Sequence, residues 1–253
     1  MDRMIYTALN AISVARNEQL NAAQNLANQN VPGYRRDLSN DGAARFVAQM
    51  DALTTRAFQL ETGPAGFLEA PGMMTNTGVE LDVALAGEGY FYVQPQSGEP
   101  ALTRRGDLTR GPDGTLRNAA GEAMLGPGLA PIQVAEYQRI EITDIGEIFI
   151  VPAGVPDAGR IEAGVLATVI PPEGTRLLKG EDGHIRASDG TVPDPNQLAR
   201  VRQGMLEASN VNPVEELLTT MEIQRSYERA LKLVSSAQEI DERAARLLAA
   251  PEG

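Results

Sequence analysis

The chain has 253 residues, a formal net charge of −12, one histidine, no tryptophan and no cysteine. Without cysteine, a thiolate nucleophile, a cysteine metal site and a disulfide framework are all excluded. The acidic balance, with arginines scattered rather than striped, argues against a nucleic-acid backbone as partner.

Residues Met1–Gln29 carry helical apolar spacing, Ile5, Ala8, Ile12, Ala15, Gln19, Ala22 and Leu26. Steps of three and four give a narrow stripe of the coiled-coil type rather than a broad core face. The opening MDRMIYTALNAISVARNEQL scatters charge through what would be the apolar stretch of a secretory leader, and no run reaches the ~18 apolar residues of a membrane span. The helix is expected to stop near Asn28, before the Pro32-Gly33 turn. Residues Tyr34–Thr77 show no sustained period and predict a connector with extended structure.

Periodicity then switches to two. Val79, Leu81, Val83 and Leu85 alternate with Glu80, Asp82, Ala84 and Ala86, predicting a strand with one buried face. Tyr90–Val93 reads as a second strand, with further strands around Arg139–Ile142, Ile148–Val151, Gly164–Ile170 and His184–Ala187. Asp113-Gly114, Asp182-Gly183 and Asp189-Gly190 are turn sequences. A last helix is predicted over Pro213–Leu248, with Asn212 as N-cap, Pro213 in the first position and Glu215 in the third. Its stripe runs Ile223, Ser226, Ala230, Leu233, Ala237, Ile240, Ala244 and Leu247.

These elements predict an α+β chain. Long N- and C-terminal helices pair as a coiled-coil-like domain (residues 1–33 with 205–253), a connector covers 34–77, and an antiparallel β-rich domain (78–204) is looped out between. At ~1.5 Å per residue the helices would be roughly 40 and 50 Å long. Such an arrangement suits a subunit built for assembly.

Three stretches carry a resemblance. AAQNLANQNVPGYRR (Ala22–Arg36) is similar to the ANNLAN-x-x-T-x-G-[FY] signature of bacterial flagellar rod and hook proteins, with Val31 where threonine is usual. Leu81–Gly126 resembles their strand block, with its G-[FY]-[FY]-x-V and T-R-x-G elements. LEASNVNPVEELLTTMEIQRSYE (Leu206–Glu228) is similar to their C-terminal S-N-V-[DN]-x-x-x-E signature. The opening MDRMIYTAL and the length resemble proximal-rod members most, with distal-rod or other rod and hook members as the alternative.

The resemblance implies a non-catalytic subunit of the rod that crosses the periplasm. It implies export through the flagellar type III apparatus without a cleavable signal, and helical assembly with copies of itself and other rod proteins, with no cofactor. Candidate contact residues are Ile5, Ala8, Ile12, Ala15, Ala22, Leu26 and Asn28 on the N-terminal side. On the C-terminal side they are Asn210, Leu217, Met221, Tyr227, Ala230, Leu233, Ala237 and Ile240.

A reading of another class is a glycan-binding protein or glycoside hydrolase built on the β-domain, since two carboxylates can cleave a glycosidic bond. Glu80 and Asp82 are the nearest such pair, yet alternation places them side by side on a solvated strand face. His184 has no second imidazole near it in sequence and reads as a solvated or hydrogen-bonded surface residue. Gly87-Glu88-Gly89 lacks the third glycine of a dinucleotide loop, Tyr92 standing there, and no helix follows.

Overall fold

The structure, a computed structural model, describes residues 2–38, 66–154, 159–180 and 182–248. The chain divides into two compact units, Met1–Ala27 with Asp37–Ala65 and Asn212–Gly253, and Asn28–Arg36 with Gly66–Val211. Residues 39–65, which hold most of the predicted connector, lie outside the described residues.

The helical unit contains α1 (Asp2–Ala27) and α2 (Pro213–Leu248). Helix α1 ends where the sequence predicts: the Val31 N–H turns back to the Asn28 carbonyl and Pro32 follows. Helix α2 starts at its predicted cap, the Asn212 Oδ1 accepting from the Val214 N–H at 3.1 Å. Buried on α1 are Ala15, Ala22 and Asn25, and on α2 Glu216, Ile223, Ala230 and Ala237. Ala15, Ala22 and Ile223 form one apolar cluster.

The expectation of an α+β fold whose terminal helices pair as a coiled coil is corrected. Among the described residues there are two helices and fifteen strands, and the fold is predominantly β. The helix periodicity also fails the coiled-coil test, because a knobs-into-holes seam buries two positions in every seven. On α2 one stripe position in seven is buried: Ile223, Ala230 and Ala237 are inside, while Leu233 and Ile240 of the same stripe are each 51% exposed. The buried side chains are mostly alanine, so the helices touch through small residues and their large ones point elsewhere.

In the β unit every pairing is antiparallel. The largest sheet has the order β12 (Leu177–Lys179), β13 (Ile185–Ala187), β4 (Ala101–Thr103), β3 (Tyr90–Gln94), β7 (Ala123–Met124), β6 (Leu116–Asn118), β5 (Leu108–Arg110), with β11 (Thr168–Val169) also on β3. A second sheet stacks β10 (Ile161–Val165), β9 (Glu147–Pro152) and β8 (Tyr137–Ile142). Two ribbons complete the unit, β2 (Val83–Ala86) with β14 (Arg200–Gln203) and β1 (Met74–Asn76) with β15 (Met205–Glu207).

Strand β3 explains why this middle is so apolar. Its side chains alternate between faces, and the structure fills both: Phe91 and Val93 enter one core, Tyr90 and Tyr92 a second. Met124 and Leu125 divide the same way. A sheet with two covered faces reads as a continuous apolar run.

That also corrects the strand predicted over Val79–Ala86. Strand β2 begins at Val83, and Val83, Ala84 and Leu85 are all buried, so the apparent alternation has no solvated face. Val79 is exposed, and Asp82 is buried, accepting from the Thr77 hydroxyl at 2.6 Å. The pairing of Glu80 and Asp82 on one open face does not occur. The three Asp-Gly turns form as read, each aspartate accepting from the backbone N–H two residues on.

Ile150, on β9, lies fully inside the first core. Ile150→Ala is expected to lower stability by about 2–5 kcal/mol through lost burial and the cavity left behind. Urea unfolding of the full chain checks this, the midpoint falling with little change in slope.

Candidate assembly site

The three stretches that carry the family resemblance, far apart in sequence, meet at one buried charge. Glu207, at the end of β15, has a side chain with no exposed surface. Its Oε1 takes the Arg35 guanidinium at 2.8 Å and the Gly72 N–H at 2.9 Å. Its Oε2 accepts from Arg104 Nε at 2.7 Å and also pairs with Arg104 Nη2. Arg35 lies in the N-terminal stretch just after its signature, Arg104 in the T-R-x-G element, and Glu207 in the C-terminal stretch just before its S-N-V signature.

One carboxylate faces two guanidiniums, so the remaining positive charge is met by backbone dipoles. Arg104 donates to the carbonyls of Gly89 and Leu85, and Arg35 to that of Ala70. Burial pulls the Arg35 guanidinium below its ordinary pKa, an effect that Glu207 opposes. Burial likewise raises the Tyr90 phenol beside it.

The motif glycines allow this approach. Gly33 has φ +68°, and a Cβ there would lie 2.3 Å from the carbonyl carbon of Arg104. Gly106 of the T-R-x-G element packs so closely that a Cβ would meet the Val83 carbonyl oxygen at 1.8 Å. The Gly33 N–H donates to the Glu207 carbonyl at 2.7 Å. Lys179 closes over the segment, its Nζ 3.9 Å from the Tyr34 ring centre and 3.2 Å from the Arg35 carbonyl.

The candidate contact residues fall into three groups. Ala15, Ala22, Ala230 and Ala237 are buried within the helical unit. Ile12, Leu26, Asn28 and Asn210 are half-buried, and Asn210 spends its side chain inside the β unit, accepting from the Arg36 N–H at 2.7 Å and donating to the carbonyls of Leu68 and Ala70. Leu217, Met221, Tyr227, Leu233 and Ile240 are exposed. Ile5 and Ala8 lie on α1, but their side chains are outside the described residues.

Sequence reading named Leu217 and Met221 of the exposed apolar stripe at the start of α2 and missed Val214 and Leu218. Val214, Leu217, Leu218 and Met221 are all more than half exposed and spaced i, i+3, i+4, i+7, so they form one stripe on the first two turns of α2. At 100° per residue this stripe lies opposite Glu216, Ile223 and Ala230, the positions the helical unit buries. Helix α1 repeats the pattern, with Leu9 and Leu20 exposed on the side away from Ala15 and Ala22. The signal was present in the sequence as a second apolar spacing, overshadowed by the alanine stripe.

His184 pairs through Nε2 with Glu122 Oε1 at 3.0 Å, and Glu122 is also held by Asn118. Among the described residues no group of three or more His, Cys, Asp or Glu is placed to hold a metal ion. No described helix is long and apolar enough to cross a membrane.

Comparison with known proteins agrees with two of the three stretches, those at Leu81–Gly126 and Leu206–Glu228. Residues 84–150 match the flagellar hook protein FlgE/F/G D1 domain, and residues 202–247 the C-terminal region of flagellar basal body rod FlgEFG proteins. The flagellar basal-body rod protein FlgF of Caulobacter vibrioides is 32% identical over 98% of both chains. FlgF of Salmonella typhimurium is 34% identical over 98% of this chain and 99% of its own. The chain belongs to the flagellar basal-body rod protein family. FlgG of Agrobacterium fabrum is a more distant relative, 26% identical over 86% of this chain and 88% of its own. In this rod-family chain, Arg104 and Glu207 of the junction lie in the two segments that the family models match.

Glu207→Gln is expected to cost about 3–5 kcal/mol, since it leaves two buried guanidiniums facing a neutral amide. Gly33→Ala should cost about 1–3 kcal/mol from backbone strain alone, before any clash with Arg104. Both are read from denaturant unfolding; a loss below ~1 kcal/mol for Glu207→Gln, the scale of a solvated pair, would show that the junction is wet.

Proposed function

We propose that this chain is a structural subunit of the proximal rod of the bacterial flagellar basal body, assembling helically through α1 and α2. The observation that carries the mechanism is the placement of apolar side chains on α2. The helix buries alanines within its own unit and leaves Val214, Leu217, Leu218 and Met221 uncovered, beside Leu231, Leu233 and Ile240 further along. An apolar stripe of this kind marks a surface that another protein covers. Neighbouring copies and other rod proteins are the natural occupants in a helical assembly, each burying the large residues that the isolated subunit leaves in water.

The near full-length likeness to FlgF proteins from two organisms supports the proximal assignment over a distal, FlgG-like one. Family membership supports the rest of the reading: transit through the flagellar type III export apparatus, a place in the periplasm-crossing part of the rod, and no catalytic role. Buried Asp82 and the single His184–Glu122 pair each have a structural use, which favours this reading over a glycoside hydrolase.

Leu217→Asp and Leu233→Asp test the mechanism. A carboxylate on a contact face must be desolvated without a partner. In the native cell both variants should be made and exported yet fail to support motility, while the purified proteins keep the unfolding midpoint of the β unit. Motile cells carrying both substitutions would refute the assignment of this face.

A further inference from the structure

The β unit has four chain ends, because it is made of Asn28–Arg36 and Gly66–Val211. Three of them converge on one side chain. Asn210, next to the end at Val211, accepts from the Arg36 N–H at 2.7 Å and donates through Nδ2 to the carbonyls of Leu68 at 2.9 Å and Ala70 at 2.7 Å. Its own N–H reaches the Tyr34 carbonyl, and the Leu68 N–H reaches the Arg36 carbonyl. Neither 34–36 nor 66–72 belongs to a strand, and Phe67 makes only an isolated β-bridge. Both are straps laid on the unit and held by a few backbone bonds and by side chains.

We infer that Asn210 is a positioning residue that clasps these straps together, and that its work is done within one subunit rather than across a boundary between subunits. The carboxamide is the one side-chain type that fits. It supplies an acceptor to one strap and two N–H donors to the other, whereas aspartate supplies acceptors only and a hydroxyl only one donor. The clasp fixes where the chain enters and leaves the β unit at Arg36, Gly66 and Val211. The inference is independent of the assembly reading, since it is tested in the isolated chain.

Amide exchange of purified full-length protein separates the possibilities. In Asn210→Ala, the amides of Arg36, Leu68 and Gly72 should exchange about tenfold faster or more, each having lost a bond or the strap that aligned it. In Asn210→Asp, the Arg36 amide keeps its acceptor and should stay protected. Leu68 and Gly72 should open, because a carboxylate oxygen now faces the carbonyls of Leu68 and Ala70. Amides of β3 should be unchanged in both. Wild-type exchange throughout the Asn210→Ala chain would overturn the inference and return Asn210 to a role between subunits. So would equal acceleration of the β3 amides, which would make it a general stability residue, or identical patterns in the two variants.

Discussion

The whole β unit depends on keeping one carboxylate out of water. A buried anion costs several kcal/mol unless its lone pairs are filled with good geometry, and Glu207 fills them with two guanidiniums and a backbone N–H. Each partner comes from a different stretch of chain, so the site can form only when residues 33–35, 72, 104 and 207 are all in place. The cost of leaving it half-made gives the junction its specificity: a misregistered strap would strand a charge. The close contacts follow from the same requirement, since Gly33 and Gly106 let backbones approach more closely than any side chain permits.

The two units treat apolar surface in opposite ways. The β unit covers both faces of its main sheet with its own residues, dividing Phe91 and Val93 from Tyr90 and Tyr92. It has two cores, with exposed apolar side chains such as Met73, Val79 and Leu198 scattered outside them. The helical unit buries alanine, and at ~25 cal/mol per Å² an alanine stripe contributes little per turn. What would strengthen it, the leucines and isoleucine of α2, is on the wrong side of the helix for internal packing. The β unit buries most of its large apolar side chains in its own cores, whereas α2 leaves most of its large ones exposed.

How much of this was legible in sequence follows from the range of each interaction. Helix limits and the Asp-Gly turns depend on a few adjacent residues, and Asn212, Pro213 and the Pro32-Gly33 pair placed them correctly. The strand at Val79 was misplaced because alternation of apolar and small residues looks the same whether one face or both are covered. The class was misjudged because length of helix was weighed above the number of short strands. The junction was invisible for a deeper reason. Arg35, Arg104 and Glu207 are each unremarkable among scattered charges, and only the fold brings them within 3 Å. The hint was that each resembling stretch contained a charged residue with no local partner.

The spacing of the buried helix positions carries the last step. Residues seven apart on a 3.6-residue helix drift by about 20° per heptad, so Ile223, Ala230 and Ala237 trace a slow spiral rather than a straight seam. A pair of helices sharing only that spiral can approach closely, because the side chains on it are small. On α2 the large apolar residues Val214, Leu217, Leu218 and Met221 cluster on the side away from that spiral. A narrow internal contact and a broad external one are what a helix needs when it must face a partner in its own chain and others outside it. The alanines of α2 face inward and its leucines face away from them, which is the division of surfaces that the proposed assembly requires.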